Sequence, residues 1–129
     1  MKKKYLIVVA DYYKDIAKGL LESALKLIPK SNIIKIVRVP GVFEIPVTIS
    51  KNIKKYDAFL ALGCVIKGQT PHFDFISQAS TNAIMDLSIH NEKPIGNGII
   101  TCLNMNQAKL RREKGAEAAS AVNSVLSQK

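Results

Sequence analysis

The 129-residue sequence contains no tryptophan and only two cysteines, Cys64 and Cys102, which lie 38 positions apart. It has no C-x-x-C pattern and no histidine at metal-ligand spacing from either cysteine, so we expect neither a disulfide framework nor a zinc site. Free cysteines are typical of a reducing compartment, which predicts a cytoplasmic protein. The longest apolar run, residues 58–66, has nine residues. A membrane span needs about twenty, so no membrane crossing is expected.

Acidic residues are also scarce: 10 against 19 basic residues, for a net charge of +9. Such a balance attracts anions, among them nucleic acids, acidic membranes and phosphorylated metabolites. The aromatic residues, four tyrosines and four phenylalanines, are too few for the basic and aromatic stripe of a single-strand binder. We therefore interpret the lysine clusters at residues 2–4 and 51–55 mainly as solvated faces and expect no nucleic-acid or membrane partner. A third basic cluster contains Arg111, Arg112 and Lys114.

Apolar runs suited to buried strands alternate with segments of helical periodicity. The lysines at residues 2–4 and the apolar residues 5–10 imitate a secretory signal, but six apolar residues fall below the roughly 7–15 that such a signal needs. The strands are predicted at residues 4–10, 33–39, 58–65 and 94–101. The helices are predicted at residues 11–29, 45–53, 71–89 and 104–129. The third has the apolar face Phe75, Ala79, Ala83 and Leu87, and the fourth has a break at residues 114–115.

Strands that are apolar throughout indicate a parallel sheet covered on both faces. The predicted fold class is therefore α/β, a three-layer αβα sandwich with a four-stranded parallel sheet in the flavodoxin-like order 2-1-3-4. No linker, repeat or low-complexity segment interrupts the pattern. We expect residues 1–129 to form a single domain.

Ligands of such a sheet bind beyond the carboxyl ends of the strands, where two predicted loops carry aromatic residues. Tyr12 and Tyr13 follow the first strand and fit either a stacking surface for a flat heterocycle or a partly exposed edge of the core. In the second loop two prolines stiffen the chain, and Gly41 is expected to adopt a backbone conformation that other residues avoid. Phe43 then stands beside Glu44, which is either a ligand group or a charge favourable in a first helical turn.

The third loop, residues 63–74, combines the features of an anion site. Thr70 is predicted as the N-cap and Pro71 as the first residue of a helix. The free N–H groups of that helix end would attract an anion, and Lys67 adds positive charge. His72, in the same turn, is either a proton-transfer group or a structural histidine. His90, at the far end of the helix, is predicted to lie on the surface.

Four segments together make the sequence similar to a known enzyme family. They are G-V-F-E-I-P at residues 41–46, G-C-V-I-K-G-Q-T-P-H-F-D at 63–74, G-I-I-T at 98–101 and N-Q-A-K-L-R at 106–111. In this order they resemble lumazine synthase, and the resemblance extends over about residues 4–126. We know of no unrelated family that carries the first two segments at this spacing.

The resemblance implies the penultimate step of riboflavin biosynthesis, in which 5-amino-6-(D-ribitylamino)uracil condenses with 3,4-dihydroxy-2-butanone 4-phosphate. The implied products are 6,7-dimethyl-8-ribityllumazine, inorganic phosphate and water. Neither a metal nor an organic cofactor is expected to take part. Acceleration would come mainly from holding the two reactants together, with some proton transfer.

The resemblance also implies site residues by matching position. Tyr12 would stack on the pyrimidine, and His72 would transfer protons. The residues that would hold the ribityl chain and line the ring pocket are Val42, Phe43, Glu44, Val65 and Ile66. The residues that would contact the butanone phosphate are Gln69 and Thr70, through backbone N–H groups, and Arg111, as its cationic partner.

Two of the matched residues are not expected to reach His72 within one chain. Arg111 lies about seven residues into the last predicted helix, roughly 10 Å along it, and that helix should run back toward the amino edge of the sheet. Asn97 lies near the amino end of the fourth strand. Both would then serve a neighbouring subunit, in line with the pentamer of the family, and a monomer should be inactive.

The sequence departs from the family pattern at several positions. Asn97 stands where many members carry an aromatic residue that closes the ring pocket, and Asp11 and Tyr13 replace the commoner Arg and Asn. Many members have an arm before the first strand, and the junction at residues 112–115 is shorter here than usual. We therefore expect a homopentamer rather than a sixty-subunit shell, with riboflavin synthase as a candidate partner.

Two other functions remain open on the sequence alone. A non-catalytic flavin or lumazine binder on the same scaffold would fit the departures at Tyr13 and Asn97. Nucleic-acid binding would fit only the charge of +9.

Overall fold

The structure, a computed structural model, describes residues 2–128. The strands are β1 (Lys4–Ala10), β2 (Ile33–Val39), β3 (Ala58–Ile66) and β4 (Ile95–Cys102). The helices are α1 (Lys14–Leu27), α2 (Ile45–Asn52), α3 (His72–Asn91), α4 (Met105–Leu110) and α5 (Lys114–Leu126), with a 3-10 turn at Val42–Glu44. Within the described residues no helix is both long and apolar enough to cross a membrane.

The four strands form one all-parallel sheet in the order β2-β1-β3-β4 with helices on both faces. This confirms the predicted α/β class, the three layers and the strand order. The inner strands β1 and β3 are buried almost throughout. Because successive side chains point to opposite faces of a sheet, these apolar strands supply both halves of the core at once.

Each face of the sheet has its own buried cluster. On one face Ile7 and Val9 of β1 belong to the same cluster as Leu20 of α1 and Ala119 of α5. On the other face the cluster contains residues of β1, of α2 and of α3: Leu6, Val8, Ile45 and Ile84. All of these side chains are less than about 5% exposed, so they fix the helices that carry the loops at the carboxyl edge.

Several element bounds differ from the predicted ones by one to three residues. Helix α1 begins at Lys14 rather than at residue 11, because the backbone N–H of Asp11 donates to the carbonyl of Val39 and continues the sheet pairing. Strand β4 begins after Pro94, which has no N–H to donate. Strand β3 extends one residue further, to Ile66.

Two expectations about helix and turn chemistry were wrong. Helix α3 begins at His72, and Pro71 is its N-cap rather than its first residue. The Thr70 hydroxyl still accepts from the backbone N–H of His72, at 3.5 Å. Gly41 has an extended backbone with φ −145°, which any residue can adopt. What favours glycine there is space, because an added Cβ would lie 3.1 Å from Oε1 of Glu44.

Helix α3 differs from the prediction in what it buries. Its buried residues are Ser80 and Ile84, whereas Phe75, in the predicted apolar face, is 66% exposed. Ala79 of that face is exposed too, whereas Ala83 and Leu87 are half-buried and Leu87 packs against the core cluster. Only the part of the predicted face near Leu87 therefore lies on the core.

The predicted last helix is two helices, α4 and α5, separated by a turn at residues 111–113. Arg111 ends the short α4 rather than lying seven residues into a long helix. Its guanidinium Nη1 donates to the carbonyl of Thr101, at 3.2 Å, near the carboxyl end of β4. The expectation that Arg111 is carried toward the amino edge was therefore wrong.

Helix α5 packs very closely on β4. An added Cβ at Gly96 would lie 2.5 Å from the carbonyl oxygen of Ala118, which belongs to a rigid helical backbone. Glycine at this position allows the close approach and so places the start of α5, with Lys114, beside the edge of β4.

Candidate functional site

A cleft of about 310 Å³ opens at the carboxyl ends of β1 and β3. We call it the histidine cleft, and it is lined by Tyr12, Tyr13, Val42, Cys64, Val65, Ile66, His72 and Ile76. Parallel strands bring their following loops to this edge, so residues as far apart in sequence as Tyr12 and Ile76 meet here. The cleft unites five of the predicted site residues: Tyr12, Val42, Val65, Ile66 and His72.

The two tyrosines after β1 differ in burial. Tyr12 is 75% exposed, whereas Tyr13 packs against the core cluster beneath α1. Their rings meet edge to face, with centroids 4.9 Å apart and an angle of 85° between the planes. Burial raises the pKa of the Tyr13 hydroxyl, and the neighbouring Cys64 and Tyr12 add to that rise. Tyr13 thus supports an exposed Tyr12 ring whose other surfaces are open to a flat ligand.

The 3-10 turn at Val42–Glu44 separates the histidine cleft from a second depression. Val42 is buried and lines the histidine cleft. Phe43, which is 63% exposed, and the half-buried Glu44 line a groove of about 510 Å³ between the turn and α3. The groove also contains Val47 and Ser80. One short turn therefore presents an apolar ring and a carboxylate beside the histidine cleft.

The loop before α3 is exposed at Lys67, Gly68, Gln69 and Thr70. The first backbone N–H groups of a helix have no partner within the helix and carry partial positive charge. His72 is the first residue of α3 and is also exposed. An anion in this loop would meet backbone N–H groups, the Lys67 ammonium and the imidazole together.

His90 lies at the other end of α3. It is exposed, and its Nδ1 is 2.7 Å from the backbone oxygen of Asp86. The prediction that His90 lies on the surface is confirmed.

Arg111 and Asn97 lie in a different place from His72. They line a cleft of about 540 Å³ along the edge strand β4, together with Ile99, Ile100, Thr101, Leu110, Glu113, Lys114 and Glu117. We call it the arginine cleft. Asn97 is exposed, and its Oδ1 accepts from the N–H of Ile99 at 3.1 Å. One chain thus carries two clefts that share no lining residue.

Lys114 adds a second cation to the arginine cleft. Its ammonium is 3.3 Å from a carboxylate oxygen of Glu117. Sequence reasoning noted this lysine only as part of a basic cluster with Arg111 and Arg112 and missed its place in the cleft. The signal was the break in helical periodicity predicted at residues 114–115; in the structure Lys114 begins a helix.

Cys64 was also missed as a residue of the histidine cleft. Both cysteines are free and buried. Burial raises the pKa of the Cys64 thiol to about 12, with a further contribution from the adjacent Cys102. A thiol with this pKa stays protonated near neutral pH, so Cys64 is an apolar wall of the cleft and not a nucleophile. Among residues 2–128, no group of three or more His, Cys, Asp or Glu side chains is placed to hold a metal ion.

Comparison with known proteins gives a consistent result. The family model for 6,7-dimethyl-8-ribityllumazine synthase matches residues 2–129. A protein of Bartonella bacilliformis with that name is 43% identical over 115 residues, which cover 85% of this chain and 76% of that protein. One from Nitrobacter hamburgensis is 41% identical, with 94% and 82% covered. One from Agrobacterium fabrum is 38% identical, with 100% and 97% covered.

Proposed function

The chain belongs to the 6,7-dimethyl-8-ribityllumazine synthase family of riboflavin-biosynthesis transferases, and we propose that it catalyses the penultimate step of that pathway. It would condense 5-amino-6-(D-ribitylamino)uracil with 3,4-dihydroxy-2-butanone 4-phosphate to 6,7-dimethyl-8-ribityllumazine, phosphate and water. The observation that carries the proposal is the histidine cleft, where an exposed tyrosine ring and apolar side chains stand beside the imidazole of His72.

The pyrimidine would lie in the histidine cleft. The exposed face of Tyr12 suits stacking, and Val65 and Ile66 provide an apolar wall for the ring. Phe43 and Glu44 would hold the ribityl chain and the ring edge, because their turn directly adjoins the cleft through Val42. A carboxylate accepts hydrogen bonds from the hydroxyls of such a chain.

The phosphorylated ketone would bind with its phosphate at the start of α3. The backbone N–H groups of Gln69 and Thr70 lie just before the amino end of α3, a 20-residue helix. N–H groups at such a helix end suit a phosphate. The pyrimidine amine would attack the ketone and give an imine with loss of water. Phosphate would then be eliminated, and the ring would close when the ribityl-bearing nitrogen condenses with the remaining carbonyl and expels a second water. His72, exposed at this point, would move protons between these steps.

Arg111 would reach the phosphate from a neighbouring subunit. The support is that Arg111 and Asn97 line a cleft of their own on each chain, separate from the one that contains His72. A head-to-tail ring would place the arginine cleft of one subunit against the histidine cleft of the next. Lys114 would add its charge on the same side.

A homopentamer would meet this requirement and would also cover exposed apolar surface. Phe43, Val47 and Phe75 are each more than half exposed around the groove beside α3. Contiguous apolar surface of this kind is typical of an interface. A mass in solution near five times the 14.2 kDa of one chain is expected. The single domain over residues 1–129, the cytoplasmic location and the association with riboflavin synthase stay predictions.

The test is to incubate the purified protein with both substrates and to follow lumazine fluorescence together with phosphate release. We expect both products to appear in equal amounts, well above the uncatalysed background. Tight binding of the lumazine without turnover would instead favour the non-catalytic binder, for which the unusual Tyr13 in the cleft is the supporting observation. Absence of turnover at saturating substrates would reject the proposal.

A further inference from the structure

The turn that carries Arg111 is fastened to helix α1 by one buried hydroxyl. Ser23 of α1 is 3% exposed. The Ser23 hydroxyl donates to the carbonyl oxygen of Arg112, at 2.9 Å, and to that of Leu20, at 3.0 Å. The two carbonyl oxygens share the single hydroxyl proton. The same Oγ accepts from the backbone N–H of Ala116 at 3.1 Å. Ser23 therefore holds both the turn at residues 111–113 and the beginning of α5.

Two glycines make room for this attachment. An added Cβ at Gly19 would lie 2.5 Å from Cδ and 2.9 Å from Cβ of Arg112, so the Arg112 side chain rests directly on α1. An added Cβ at Gly115 would overlap the carbonyl oxygen of Leu20. The side chain of Arg112 then turns back, and its Nε donates to the carbonyl of Lys109 at 3.0 Å. The junction is thus fixed to α1 and to α4.

The contact of Arg112 with α1 sets the direction of the neighbouring Arg111 side chain. With Arg112 held on α1, Arg111 extends to the other side and meets the carbonyl of Thr101 on β4. Arg111 is exposed and has a long, rotatable side chain, which loses conformational entropy when a ligand immobilises it. A fixed backbone reduces the number of positions that its guanidinium can take.

We propose that Ser23 is a positioning residue for the phosphate subsite, acting through the turn at residues 111–113. The inference rests on the proposed function, in which Arg111 binds the substrate phosphate. Without the Ser23 hydroxyl, the Arg112 carbonyl loses this partner, and the Ala116 N–H keeps only its bond to the carbonyl of Glu113, at 3.0 Å. The turn then moves, and the guanidinium leaves the place where it meets phosphate in the adjoining subunit.

The experiment compares Ser23→Ala with the wild-type protein in steady-state kinetics. A displacement of about 1 Å can weaken a positioned interaction by one to two orders of magnitude, so we expect the KM for the phosphorylated ketone to rise about tenfold. The inhibition constant of inorganic phosphate should rise in parallel. The KM for ribitylaminouracil, which would contact Tyr12 rather than Arg111, should change by less than about twofold.

Ile28→Val is the control for lost stability alone. Ile28 is 2% exposed in the core cluster beneath α1 and lies at the end of α1 away from the turn. The thermal midpoint of the Ile28→Val protein should fall, while both KM values and the inhibition constant of phosphate keep their wild-type values. An equal rise of the phosphate constants in Ile28→Val would overturn the positioning role of Ser23.

A double-mutant cycle with Arg111→Ala separates this inference from the proposed function. If Ser23 acts through Arg111, then Ser23→Ala adds no further rise to the KM of Arg111→Ala. An unchanged KM in Arg111→Ala itself would reject the phosphate role of Arg111. A raised KM in Arg111→Ala with none in Ser23→Ala, or fully additive effects, would reject the role of Ser23 alone.

Gly19→Ala provides a second variant if Ser23→Ala fails to fold. It keeps the Ser23 hydrogen bonds and displaces Arg112 by the added methyl group. The same rise in the phosphate constants, again absent on the Arg111→Ala background, supports the inference, and wild-type constants contradict it.

Discussion

His72 and Arg111, the two side chains proposed to meet at one phosphate, line two different clefts of the same chain. The first lies between the ends of β1 and β3, and the second follows the outer edge of β4. If both groups act on one substrate, adjoining subunits arranged head to tail would bring them together.

Complementation between two impaired variants, assayed at a low concentration of the phosphorylated ketone, tests this arrangement. Co-refolding equal amounts of His72→Ala and Arg111→Ala chains gives mixed rings. In a random mixture about one interface in four pairs an intact imidazole with an intact guanidinium, as expected for a heterologous interface. The turnover of the mixture should therefore exceed the summed turnover of the two variants refolded alone by about a quarter of the wild-type value.

The matched controls are each variant refolded with itself. No recovery in the mixture, with chain exchange shown by two different tags, would mean that each site is formed within one chain.

His72→Ala should lower kcat with little change in either KM. A positioned proton-transfer group contributes typically 10²–10⁴-fold, and we expect about 10²-fold, because holding two reactants together supplies the larger share. His90→Ala is the matched control, since His90 is exposed at the opposite end of the same helix. It should keep the wild-type kcat. Equal kcat values for the two variants would remove His72 from the mechanism.

The fold was largely predictable because its signals are local. The apolar runs of β1 and β3 indicate strands buried on both faces, and the helical segments between them leave few topologies for a parallel sheet. Five of the eight residues that line the histidine cleft were predicted, because the loops after parallel strands meet at one edge and because the resemblance named the matching positions. Cys64 was not among them.

What could not be predicted depends on contacts between distant parts of the chain. The turn at residues 111–113 is held by Ser23, about 90 residues earlier, and no local pattern reveals that attachment. Helical periodicity grouped Phe75 with Leu87, but it does not show which members of an apolar face pack on the core of their own chain and which stay exposed. The position of Arg111 and the buried face of α3 were therefore mistaken in ways that single-sequence reasoning does not correct.

Asn97→Phe should tighten binding of the lumazine product. Asn97 is exposed on the edge strand in the arginine cleft, where many family members have an aromatic residue, so a larger ring can be accommodated. An aromatic contact is worth about 0.5–1.5 kcal/mol, which lowers a dissociation constant between about 2- and 13-fold. Fluorescence titration measures this change.

Asn97→Ala is the control for loss of the amide and should bind no tighter than the wild type. If Asn97→Phe binds as Asn97→Ala does, then position 97 does not face the ring.

Cys64→Ala should change the dependence of stability on pH in the alkaline range. Burial raises the pKa of Cys64 from its ordinary 9.0 to about 12 in the folded protein. Between these values the unfolded chain releases the proton while the folded chain keeps it, so the free energy of unfolding falls as pH rises, by up to about 1.4 kcal/mol per pH unit.

Burial also raises the pKa of Tyr5 and of Tyr13, but both residues remain in the variant. Burial is the largest cause of both rises, so the difference between the two proteins reports chiefly on Cys64, together with its smaller contribution to the pKa of Tyr13. Urea unfolding from pH 8 upward should give a shallower decline for Cys64→Ala above about pH 9, the ordinary thiol pKa. Parallel curves for the two proteins would show that the thiol ionises alike in the folded and unfolded chains.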